Sequence, residues 1–106
     1  MSKDYEDFIE KGLHKKFDEA NNELQVTIDI SMYPTKEDFI PPIKDFIEKI
    51  NTYPDLKIIT SPTSTIVQGK FDYAMQSIQE CMLACHKEFR NIYVMKVIPG
   101  YEALDR

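Results

Sequence analysis

Between residues 24 and 33 the side chains alternate strictly. Leu24, Val26, Ile28, Ile30 and Met32 are apolar, and Gln25, Thr27, Asp29, Ser31 and Tyr33 stand between them. A two-residue period puts each set on its own side of a pleated strand. The aliphatic side must meet a core, while the other carries polar groups and an aromatic ring. Tyr33-Pro34 follows, and then Pro41-Pro42. A proline pair fits only the first turn of a helix, where the missing N–H groups would have lacked partners anyway. Residues 29–46 therefore read as strand, corner and helix, with Asp38 as N-cap and Phe39, Ile43, Phe46, Ile47 and Ile50 as the apolar stripe.

Tyr53-Pro54-Asp55 ends that helix, and two strands follow over 56–61 and 64–71, separated at Pro62. Asp72 is positioned to cap a second helix, on which Met75, Ile78, Met82, Cys85 and Phe89 recur at helical spacing with Cys81 on their flank. A last strand covers 91–98 and stops at Pro99-Gly100, leaving a tail, YEALDR, without a pattern of its own. Gly69 reads as a bulge or a close backbone approach. Ahead of all this, residues 4–20 place Tyr5, Phe8, Ile9, Leu13 and Phe17 on one face of an amphipathic helix, with Ser2 or Asp4 as its cap, Gly12 in its middle and His14 toward solvent. Such a helix needs a surface to pack on, in its own domain or a neighbouring subunit. The expected division is a helical extension over 1–22 and one domain over 23–106, since 106 residues leave little room for a second core.

Strand, helix, strand, strand, helix, strand is the split βαβ order of a ferredoxin-like α+β fold. Right-handed crossovers then put both helices on one face of a four-stranded antiparallel sheet whose first and third strands are central. The opposite face carries Thr27, Asp29 and Ser31. To these the last strand adds either Ile92, Val94, Lys96 and Ile98 or Tyr93, Met95 and Val97. Both sets are largely apolar, so a partner subunit is expected to cover that face, in a homodimer or homotetramer.

Several function classes are disfavoured. Thirteen basic against 18 acidic residues, a net charge of −5, do not suit a surface that neutralises many phosphates, so nucleic acid is not an expected partner. No apolar run approaches the length of a membrane span and the first residues lack a signal peptide's apolar segment, so a cytoplasmic protein with no membrane partner is expected. Cys81 and Cys85 share a helix face and point in parallel, which disfavours a mutual disulfide; with His86 they fall short of a zinc set. Neither a glycine-rich phosphate loop nor a GxSxG elbow is present. No cofactor is expected.

Three segments carry a family resemblance: ISMYP at 30–34, DFIPPIKDFIEKI at 38–50 and TSPTSTIVQG at 60–69. In this order they resemble the small thiamine-binding, YkoF-like proteins, over about residues 24–98. These are ferredoxin-like domains that occur singly as oligomers or in tandem. The resemblance implies non-catalytic binding of thiamine or its hydroxymethylpyrimidine part, and the helix at 4–20 departs from the short form of the family.

Thiamine joins an aminopyrimidine, which takes hydrogen bonds and a stacking partner, to a cationic thiazolium, which takes a carboxylate or an aromatic face. Tyr33 and Phe71 are candidates for stacking, Ser31, Ser61, Thr63, Ser64, Thr65 and Gln68 for the pyrimidine edge, and Asp29 for the ring charge. Each has a plainer role available: Asp29 in a cross-strand pair with Lys96, Tyr33 in packing at the corner, and the hydroxyls of 60–65 in satisfying turn backbone. An enzyme of the dimeric α+β-barrel kind, an isomerase or mono-oxygenase, and a protein-interaction module using the outer sheet face are the alternatives on the same fold.

Overall fold

The structure, a computed structural model, describes residues 23–35, 38 and 40–105. The helix expected over 4–20 and Phe39 of the first helical stripe lie outside them. In chain order the elements are β1 (Gln25–Pro34), α1 (Ile40–Ile50), β2 (Lys57–Thr60), β3 (Thr65–Lys70), α2 (Phe71–His86), β4 (Asn91–Pro99) and a short 3-10 turn, Ala103–Asp105. The strands form one antiparallel sheet in the order β2-β3-β1-β4. This is the ferredoxin-like α+β fold, with β1 and β3 in the middle.

β1 sets the register. Val26, Ile28 and Ile30 are completely or almost completely buried, and their partners Gly69, Val67 and Thr65 on β3 share their side of the sheet. From the helices, Phe46 and Ile50 of α1 and Ala74, Ile78, Cys81 and Cys85 of α2 complete the core. Tyr93, Met95 and Val97 of β4 stand opposite Met32, Ile30 and Ile28 and pack against that core, with the Phe46 and Tyr93 rings 5.7 Å apart. Ile92, Val94, Lys96 and Ile98 are thereby placed on the outer face, so the register selects one of the two sets of alternate β4 residues.

Local chemistry explains the boundaries. Asp38 Oδ1 accepts the N–H of Ile40 at 3.3 Å, at the start of α1. α2 follows β3 without a loop: Lys70 is its N-cap and supplies no side-chain cap, while Asp72 sits inside the first turn and accepts the N–H of Tyr73 at 2.7 Å. A carboxylate there favourably meets the positive end of the helix dipole. Pairing on both sides of Gly69 runs without an extra residue, so no bulge is present. A Cβ at Gly69 would meet Leu56 Cδ2 at 2.6 Å and Asp55 O at 3.3 Å, which makes close approach the reason for glycine. Both cysteines are buried and free.

Candidate functional site

The C-terminal end of β1 and the turn joining β2 to β3 come together at one end of the sheet. The last β2–β3 pair is Thr60 with Thr65, and Ser61 N–H closes the turn on Ser64 O at 2.8 Å. Ser61 Oγ accepts from the N–H groups of Thr63 at 3.4 Å and Ser64 at 3.2 Å and donates to Ser64 O at 3.1 Å. Its hydroxyl therefore serves the turn's own backbone, the role that serine takes in such turns. Thr63 is exposed and Ser64 half-buried.

Behind this turn lies a narrow cleft of about 70 Å³ between β1, α1 and the hairpin. Its apolar wall is Ile30, Met32, Ile43 and Ile47, and the hydroxyl-bearing residues 60, 61 and 63–65 form the other side. Thr65, only 6% exposed, stands on the helix side of the sheet beside Ile30. An apolar wall facing a few convergent polar groups is the general character of a small-molecule site, although established ligand pockets run from roughly 300 to 1,000 Å³. As it stands the cleft has room for about two water molecules.

The other candidate residues occupy the opposite face. Asp29, Ser31 and Tyr33 alternate with the buried series and point away from the helices. There they join Ile66 of β3 and Lys96, Val94 and Ile92 of β4. Tyr33, Ile59, Ile92 and Val94 are each more than half exposed. Lys96 is directly opposite Asp29, yet Asp29 Oδ1 is buried without a hydrogen-bond partner. Seven of the eight candidate residues thus separate into a cleft set, Ser61, Thr63, Ser64 and Thr65, and an outer-face set, Asp29, Ser31 and Tyr33, with the sheet between them. No ligand of thiamine's size can touch Thr65 in the cleft and Asp29 on the face of the same sheet.

Gln68 belongs to neither open region. It pairs with Thr27 at the far end of the outer face, and both are nearly inaccessible because the tail crosses them. The chain turns at Gly100, whose φ of +80° suits glycine, and Gly100 N–H bonds to Gln25 O at 2.6 Å. Thr27 Oγ1 donates to Tyr101 O at 2.6 Å and accepts Ala103 N–H at 3.2 Å, while Leu104 N–H donates to Gln68 Oε1 at 2.7 Å. Sequence reasoning left this tail unassigned. The available signal was two polar side chains, Thr27 and Gln68, at adjoining positions of a face that needed a cover. Phe71, the second stacking candidate, opens α2 and lines a groove elsewhere.

A separate polar cluster lies between the helices. The Lys49 ammonium bonds to the Asp45 carboxylate and holds it below the usual carboxylate range. Burial, with Asp45 beside it, pushes the Cys85 thiol up to about 12. Burial likewise raises Cys81. Tyr53 donates to Glu80 at 2.8 Å, and this bond to the carboxylate raises its phenol. Thiols held protonated in this way make poor nucleophiles. Among the described residues no group of three or more His, Cys, Asp or Glu side chains is arranged to hold a metal ion, and no helix is long and apolar enough to cross a membrane.

No family model matches the chain, and no curated protein does. Solved structures do. A Thermotoga maritima protein named for a proposed role in thiamine biosynthesis or salvage is 27% identical, with a TM-score of 0.66 over 74% of this chain and 85% of its own. A Streptococcus pneumoniae protein is 20% identical with a TM-score of 0.67 over 76% and 91%, and a domain of unknown function from Bacillus cereus is 18% identical with 0.61 over 79% and 82%. The last two share the fold alone with this chain, while the first adds a thiamine-related neighbour at somewhat higher identity.

Proposed function

We propose that this chain is a soluble protein that captures thiamine or its hydroxymethylpyrimidine part without chemically changing it, and that it works as a homodimer or homotetramer. The observation that carries this reading is the cleft behind the Ser61–Ser64 turn, in the fold shared with the thiamine-related Thermotoga protein. In this reading the pyrimidine ring lies against Ile30, Met32, Ile43 and Ile47, and its polar edge meets Thr65 and the turn hydroxyls. Access requires the turn to swing outward, because the cleft is smaller than the ring. The turn suits this motion: the hydrogen bonds of Ser61 described above are made within it.

The outer face serves self-association. Ile59, Ile92, Val94 and Tyr33 form an exposed apolar area that the tail leaves uncovered, and such areas mark interaction surfaces. Asp29 lies within that area, and its unpartnered Oδ1 has a place for a donor that a second subunit can supply.

Calorimetric titration with thiamine, hydroxymethylpyrimidine and thiamine diphosphate tests the ligand. Saturable heat and a raised melting temperature with one of the first two is the expected result. Absence of heat and of thermal shift with all three would sink the reading, and turnover of any of them would replace capture with catalysis.

A further inference from the structure

We propose that Asp29 and Lys96 form reciprocal ion pairs between two copies of this chain, Asp29 of each copy meeting the partner's Lys96, and that these pairs fix how the outer sheet faces dock. The pairing rests on the self-association read above and does not involve the cleft or its ligand. Asp29 and Lys96 stand directly opposite each other on β1 and β4. Asp29 Oδ1 is enclosed by protein and, among the described residues, meets no donor. An oxygen so placed has lost water without gaining a hydrogen bond, a cost that a donor from outside the chain removes. Lys96 is exposed, and none of the ion pairs among the described residues includes it. Tyr33, Ile92 and Val94, each more than half exposed, give the two charges an apolar surround, in which opposite charges attract more strongly once water is excluded.

Charge complementarity selects a second copy as the occupant. A small cation would answer Asp29 and leave Lys96 unpaired beneath it, whereas a face that carries one charge of each sign is complementary to itself. Two copies related by a twofold axis that runs along the strands, between β1 and β4, bring each Asp29 over the partner's Lys96. The register then sets Tyr33 over the partner's Ile92 and Ser31 over the partner's Val94. A twofold axis across the strands would instead stack Asp29 on Asp29 and Lys96 on Lys96, so like charges disfavour it. With the axis along the strands the two sheets pack in the aligned manner of a sandwich, roughly 10 Å apart. A long lysine from one sheet and a short carboxylate from the other span that gap from opposite sides.

Charge reversal in the full chain tests the pairing, read by light scattering and by native mass spectrometry of mixtures in which one component carries ¹⁵N. Asp29→Lys and Lys96→Asp are each expected to raise the dissociation constant at least about a hundredfold, because each turns two attractions into two repulsions. An equimolar mixture of these variants is expected to associate as hybrids with one copy of each, in which both contacts are again opposite in charge. The double variant, Asp29→Lys with Lys96→Asp, is expected to associate with itself and not with wild type, since that hybrid sets carboxylate against carboxylate and ammonium against ammonium. Pairing within one chain predicts free exchange between the double variant and wild type, and that result would overturn the proposal. Single reversals that associate as wild type does, or that form no hybrid when mixed, would overturn it as well. Should a single reversal fail to fold, the double variant and wild type still decide, because their composition and net charge are equal. A wild-type chain that is monomeric throughout would remove the self-association reading itself, whereas an associating wild type indifferent to the reversals removes the charge pairs alone.

Discussion

Leu104 donates its backbone N–H to the side-chain oxygen of Gln68 at 2.7 Å, and with the two Thr27 bonds this ties the tail across one end of the outer sheet face. The tail is part of the domain. Among the described residues it leaves open the part of that face that carries Tyr33, Ile59, Ile92 and Val94.

Replacing Thr27 with valine keeps the shape but removes a donor to Tyr101 O and an acceptor for Ala103 N–H. A loss of about 1–3 kcal/mol is expected from urea unfolding. Hydrogen exchange should accelerate at Ala103 and Leu104 before any strand amide. Unchanged exchange at those two positions would show that the tail is held by other contacts.

Gly69→Ala drives a methyl group into Leu56 Cδ2 and against Asp55 O. The expected cost is about 1–3 kcal/mol. Adding Leu56→Ala should recover part of it, because the flexible contact disappears while the backbone contact remains. A double-mutant cycle with strictly additive losses would place the cost of the alanine elsewhere.

The Cys85 thiol has an ordinary value near 9 and is raised to about 12 in the folded protein, where the side chain is inaccessible. Folded protein thus holds this proton more tightly than the unfolded chain. The resulting stabilisation is complete below pH about 9 and is lost as the pH climbs through about 12. Urea midpoints are expected to fall progressively over that window, with a shallower slope in Cys85→Ala. Cys81 and Tyr53 are raised too and act in the same direction, so some slope should persist. At neutral pH neither cysteine should react with a thiol reagent faster than the protein opens.

Thr65→Val and Tyr33→Ala separate the two halves of the candidate site. With the ligand in the cleft, the first should weaken thiamine or pyrimidine binding about tenfold, the worth of one hydrogen bond. The second should leave affinity unchanged, since Tyr33 faces the other way. The opposite pattern in calorimetry would move the ligand to the outer face.

Val94→Lys places a charge in the middle of the exposed apolar area and is expected to convert the assembly to monomers in light scattering. A wild-type chain that is already a clean monomer would remove the self-association part of the reading.

Taken alone, the sequence determined the order of the four strands and of the two helices between them, and the inward set of β1, because these depend on local periodicity and on proline's missing N–H, which act within a few residues. It also singled out Gly69 and the outer face as places needing an explanation. Tertiary structure decided which of the alternate β4 residues line that face, since side-chain parity follows from the pairing of Lys96 with Asp29 and not from β4's own composition. The same parity put Thr65 and Asp29 on opposite sides of the sheet and divided a site that had looked continuous along the chain. The tail's place over Thr27 and Gln68 was equally out of reach: its bonds join residues 36 to 76 positions apart, and the tail itself contributes mainly backbone groups, which carry no sequence signature.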